Sequence, residues 1–178
     1  MPLPPITLSK HEPIRLVSPY DDAIDLEATP ADVIAAYARC DDLDASQLSI
    51  KPGAEPTWFT VRALGPREVR AVSALIPWTD APADVTDRST GDVTDQSQPT
   101  LADLAWAHEA HTQYLRFGLV AVDGLEGWES IKRETYLGIP VWPVDAVAAL
   151  HSESAMWLGS AVTRLSRLEK KTASRSGS

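Results

Sequence analysis

Proline sets the punctuation of this chain. It carries 14 prolines against 9 glycines in 178 residues, although glycine is the commoner residue in ordinary domains. A proline fixes φ and removes a backbone donor, so it opens a helix or ends a strand but does not sit inside either. Pro2, Pro4 and Pro5 forbid helix at the start of the chain, and residues 1–12 read as an extended arm. Pro30, Pro66 and Pro143 each stand where a first helical residue would. Pro56 and Gly65-Pro66 bound the run Thr57-Trp58-Phe59-Thr60-Val61-Arg62-Ala63-Leu64, whose aromatic and β-branched content makes it the clearest strand.

The remaining elements follow from capping and periodicity. Ile14 to Val17 reads as a short strand. Thr29-Pro30-Ala31-Asp32 predicts a helix start with Thr29 as the cap, and that helix runs to Cys40 before Asp41, Asp42 and Asp44 break it. Arg67 to Ile76 places Val69, Val72, Leu75 and Ile76 on one helical face. Thr100-Leu-Ala-Asp103 is a capping box that opens a helix of about 17 residues ending near Gly118. Leu119 to Val122 then leads to an Asp123-Gly124 turn. Residues 128–142 read as irregular, 144–150 as a short helix, and a last helix capped by Ser152 or Ser154 runs to about Lys170. Its apolar stripe is Met156 or Trp157, Leu158, Val162, Leu165 and Leu168. These elements predict a mainly helical α+β fold, with a small β element packed against several helices and extended arms at both ends. The expected organisation is an arm over 1–12, one globular domain over 13–168 and a flexible basic tail over 169–178. Residues 77–100 form a polar insertion in that domain, with five Asp, one Arg and a repeat of Asp-Val-Thr-Asp at 84–87 and 92–95.

Charge and composition exclude several classes. A chain with 16 Lys+Arg against 25 Asp+Glu has a net charge of -9, opposite in sign to a dedicated nucleic-acid binder. Stretches of about 18 consecutive apolar residues, the length a membrane span requires, are absent. Met1-Pro2-Leu3-Pro4-Pro5 does not form a secretory signal. A soluble cytoplasmic protein is the expectation, with neither nucleic acid nor membrane as a partner. The charge is also uneven. Arg164, Arg167, Lys170, Lys171 and Arg175 face only Glu169 in the last stretch, so an acidic body ends in a basic tail suited to an acidic partner surface.

Few residues carry the signature of catalysis. His108-Glu109-Ala110-His111 puts two histidines three apart on one helix face, short of the His-Glu-x-x-His spacing of zinc enzymes. Leu101, Leu104 and Leu115 fall on that face too, so the pair reads as a packed, hydrogen-bonded neighbour of the core, with a small metal-dependent enzyme as the alternative. Cys40, the only cysteine, has acidic neighbours that raise a thiol pKa, and it reads as a small buried residue at a helix end. A nucleophile elbow and a phosphate-cradling Gly-Lys-Ser/Thr loop are both absent. No metal, cofactor or catalytic residue is therefore expected. Six tryptophans are spread along the chain. Trp78 and Trp142 lie beside prolines, where an exposed ring would anchor a partner and a buried one would pin a loop.

Four features, in order, resemble small proteins encoded in the structural operons of tailed bacteriophages and related prophages. They are Phe59-Thr-Val-Arg62-Ala-Leu64-Gly65-Pro66-Arg67-Glu68; Tyr114-Leu115-Arg116-Phe117-Gly118-Leu119-Val120 with Gly127-Trp128; Leu137-Gly138-Ile139-Pro140-Val141-Trp142-Pro143; and Arg164-Leu165-Ser166-Arg167-Leu168-Glu169-Lys170-Lys171. The resemblance spans about residues 55–172. It implies a non-enzymatic morphogenesis protein, assembled in the host cytoplasm and retained as a minor virion component, or else a tail assembly chaperone that leaves before completion. The implied partners are capsid, connector or tail subunits in a multi-copy assembly. The contact residues expected on this reading are Pro4, Pro5, Trp78, Trp142, Arg164, Arg167, Lys170 and Lys171. A module that inhibits one host protein is a further alternative.

Overall fold

The computed structural model describes residues 12–77 and 100–175, with side chains through residue 167. The arm over 1–11, the insertion over 78–99 and the last three residues lie outside the described residues. The architecture is the expected mainly helical α+β fold, with two small sheets against several helices.

Strand β1 (Ile14–Val17), β2 (Trp58–Val61) and β3 (Leu119–Asp123) form one antiparallel sheet in the order β1-β2-β3. The aromatic strand is thus the central one. Leu16 faces Phe59 across one ladder and Phe59 faces Val122 across the other. Phe59 and Val61 point into the core, while Trp58 faces outward under the guanidinium of Arg15, 4.6 Å from its ring centre.

Helix α1 (Ala31–Ala38) closes the edge of this sheet. Its Tyr37 is buried, donates its hydroxyl proton to the Val17 carbonyl at 2.9 Å and accepts from the Val17 amide at 3.2 Å. One phenol therefore satisfies both the amide and the carbonyl of Val17, groups of the kind that an edge strand leaves unpaired. Its environment pushes the Tyr37 pKa upward, mainly because burial disfavours the phenolate. Thr29 does not cap this helix. Its hydroxyl donates to the Asp25 carbonyl and accepts from the Ser49 amide, tying two loops together, and Pro30 occupies the cap without a side-chain bond. The helix also ends earlier than the acidic run suggests. Cys40 takes a left-handed φ of 56°, and the Cys40 and Asp41 amides bond back to the Tyr37 and Ala36 carbonyls. That is a Schellman closure, with cysteine at the position glycine usually fills.

Helix α2 (Pro66–Leu75) starts where Pro66 places it, with the Glu68 carboxylate accepting from the Gly65 amide at 2.9 Å. Helix α3 (Leu101–Gly118) opens on the predicted box: the Asp103 amide donates to Thr100 Oγ1 and the Thr100 amide to Asp103 Oδ2. Residues 128–142, expected to be irregular, instead hold a hairpin of β4 (Glu134–Tyr136) and β5 (Ile139–Val141). Its two-residue turn, Leu137-Gly138, has φ of 50° and 75°, the hand that matches strand twist. After the short helix α4 (Val144–Ala148), helix α5 runs from Ser152 to Arg175. It continues through most of the stretch expected to be a flexible tail.

The core lies where α5 crosses α3, and two glycines set the distance. A β-carbon on Gly118 would stand 2.4 Å from Val162 Cγ1, and one on Gly159 would stand 2.5 Å from the His111 carbonyl oxygen. Leu158, Ala161 and Val162 are fully buried at this crossing. Alanine is the better helix former by about 1 kcal/mol, but here its methyl meets backbone. Gly159→Ala is therefore expected to destabilise the fold by about 1–3 kcal/mol, as overpacking does. Urea unfolding of the two proteins measures the difference.

Candidate functional site

Two polar constellations stand out, and the first is structural. Arg116 is 7% exposed in the last turn of α3. Its Nε donates to the Trp142 carbonyl at 2.8 Å, Nη1 to Gln113 Oε1 at 2.9 Å and Nη2 to Glu134 Oε2 at 3.3 Å. The Trp142 amide returns a bond to the Arg116 carbonyl, and the Trp142 indole donates to the Leu119 carbonyl at 2.8 Å. A buried guanidinium is tolerable only when its donors are met in this way, and here they staple the hairpin to the end of α3. Trp142 is itself 7% exposed, packed at a tilt with its ring centre 5.0 Å from that of Trp128, and the Arg133 guanidinium lies 4.7 Å from its ring centre. Of its two alternatives, the structure takes the loop pin. The ring is not an exposed anchor: it is buried, and its N–H is already donated to the Leu119 carbonyl.

The second constellation lies along α5. Glu153, Met156, Ser160, Thr163, Arg164 and Arg167 recur at intervals of three and four and so share one helical face. On one side of this stripe stands the C-terminal end of α1, with Ala38, Arg39 and Cys40. On the other stands α3, with Trp106, Ala107, Ala110, His111 and Tyr114. Two cavities, of 510 and 400 Å³, occupy the space and share Arg39, Cys40 and Ser160 as lining. Together they make a groove of roughly 21 Å from Glu153 to Arg167 at 1.5 Å per residue. Met156, Trp106 and Tyr114 give it apolar contact area, Arg164 and Arg167 stand at one end, and Arg39 lines both cavities. Arg39 and Arg164 both reach Asp41, at 2.9 and 3.2 Å. Arg167 has no ion-pair partner among the described residues.

The two histidines part company here. His108 is exposed, whereas His111 packs from α3 against α5 with its Nε2 3.3 Å from Ser160 Oγ and its Nδ1 buried without a partner. Burial, then the neighbouring His108 and Arg167, hold the His111 pKa below its ordinary value. Among the described residues, no three His, Cys, Asp or Glu side chains gather as a metal site. Cys40 closes the groove floor with its thiol directed at the Trp157 carbonyl, 3.9 Å away. Burial pushes that thiol up to about 11, Arg164 draws it down, and Asp41 raises it again, so it remains protonated at neutral pH.

Of the contact residues expected from the sequence, Arg164 and Arg167 stand together at this groove, one turn apart on α5. Lys170 and Lys171 lie further along the same helix, beyond the described side chains, and Pro4, Pro5 and Trp78 lie outside the described residues. Missed by the sequence reading were Arg116, which looks like any basic residue in a last helical turn, and the pairing of Trp106 and Tyr114 with the α5 arginines. The eight-residue spacing of Trp106 and Tyr114 was a signal, since it places them on one side of a helix.

His111 gives the site a measurable pH dependence. An unfolded His111 takes up a proton near its ordinary 6.5, while the folded chain holds the ring neutral to lower pH. This group therefore leaves stability unchanged above pH 6.5 and lowers it as pH falls below that value, by at most about 1.4 kcal/mol per pH unit. Urea midpoints between pH 7.5 and 5 are expected to fall less steeply in His111→Gln than in the parent. No protein-family model, curated protein or solved structure matches the chain.

Proposed function

We propose that this chain is a non-catalytic morphogenesis protein of a tailed phage, a minor structural component of the virion that binds neighbouring subunits. The observation that supports this reading is the groove along α5. It joins partly buried aromatic rings, Trp106 and Tyr114, to the arginines of the basic C-terminal stretch. Aromatic side chains and arginine carry much of the energy at protein interfaces, and the groove presents both on rigid helices. The sequence sets an acidic body against a basic C-terminal stretch, a charge asymmetry that suits ordered packing among other subunits. The groove's titratable groups include a thiol held protonated, an imidazole whose pKa is held down by burial, tyrosines, Glu153 and three arginines.

Quantitative mass spectrometry of purified particles tests the role. The chain is expected at a fixed number of copies per particle, resisting removal by salt washes. Detection in the infected cell but not in the finished particle would replace this reading with that of a transient tail assembly chaperone.

A further inference from the structure

We infer that the groove along α5 is a docking site for an acidic amphipathic segment of a neighbouring protein. The inference rests on the proposed subunit-binding role and names the chemistry of the partner.

Charge argues for the acidic partner. The molecule carries a net charge of -9, yet Arg164 and Arg167 line one end of the groove and Arg39 the stretch where the two cavities meet, and among the described residues Asp41 is the carboxylate ion-paired with them. Two guanidiniums share that carboxylate, and its ion pairs are exposed, of the kind worth only about 0–1 kcal/mol. An incoming carboxylate can take over either arginine at little cost, and among the described residues Arg167 has no ion pair to give up. Two or three acidic side chains thus find partners within one turn of α5.

Shape argues for the amphipathic segment. The floor at Ser160 is low and small, flanked by Ala38, Ala107 and Ala110. Met156 at one end and Tyr114 at the other offer apolar walls, and methionine adapts its shape to what binds. The length of roughly 21 Å takes about 14 residues of helix, with apolar side chains against α5 and acidic ones toward the arginines, which is the helix-in-groove mode of recognition. Glu153 sits at the far end and orients the segment by repelling acidic residues there.

The test titrates the full chain into a fluorescently labelled amphipathic peptide of about 15 residues, with Leu at helical spacing and Glu elsewhere. A second peptide carries Lys in place of Glu. Fluorescence anisotropy is expected to show the Glu peptide binding at least about tenfold more tightly, with that preference lost in Arg164→Glu/Arg167→Glu. Ser160→Trp and, independently, Met156→Trp fill the groove at two points. Each is expected to weaken the Glu peptide by about tenfold or more while circular dichroism shows a folded chain. Equal affinity for the two peptides, or unchanged binding in both tryptophan variants, would overturn the inference. So would a dimer in sedimentation that both tryptophan variants abolish, since a second copy would then be the occupant. Failure of peptide binding with the chain present in particles sinks the groove alone. Peptide binding with the chain missing from particles sinks the virion role alone.

Discussion

The close crossing of α3 and α5 is the contact on which the rest of the molecule depends. Gly118 and Gly159 remove the two side chains that would hold the helices apart. Val162 and the His111 backbone then enter the vacated space. With the axes so near, Leu158 and Ala161 are fully buried, and the groove between the α5 stripe and α3 becomes shallow-floored and continuous. The same approach forces His111 inside with one ring nitrogen unpartnered. A buried neutral imidazole is tolerable next to arginines because it adds no charge to the arginine-rich end.

The sheet and the hairpin hang from this helix pair by single polar residues. Tyr37 ties β1 to α1 and packs 5.0 Å from Trp157 of α5, whose indole donates to the Tyr37 carbonyl. Ser154 of α5 donates to Ser18 just past β1 at 2.8 Å, and Ser166 donates to Val162 while accepting from the Leu64 amide. Arg116 and Trp142 do the same for the hairpin. Apart from the Ser166–Val162 bond, which lies within α5, these bonds join a helix to a segment outside it. In this way the groove's walls come from three separate parts of the chain yet sit on one frame.

Local signals were legible where a side chain acts on its own backbone. The Thr100–Asp103 box, the Pro66 helix start and the proline-bounded strand at Trp58–Val61 could all be read from sequence, because their causes lie within four residues. Signals failed where a distant residue competes. Thr29 looked like a cap, but the carbonyl of Asp25 and the amide of Ser49 claim its hydroxyl. The hairpin was hidden because its strands are three residues long, one carries Pro140, and Leu137 rather than Asn or Gly stands at positive φ in its turn. Half of the candidate site was visible as a basic stretch ending in Arg164 and Arg167. The other half was not, since nothing in the α3 sequence announces that Trp106 and Tyr114 face those arginines.

The central claim is that this molecule acts through the contact surface that α5 presents between α1 and α3. Site-specific photo-crosslinking in assembling particles addresses it directly, with the crosslinker placed either at Met156 in the groove or at Leu137, which is exposed at the hairpin turn. A covalent adduct is expected from position 156 alone, mapped by mass spectrometry to an acidic stretch of a different structural protein. Adducts from position 137 with none from 156 would contradict it.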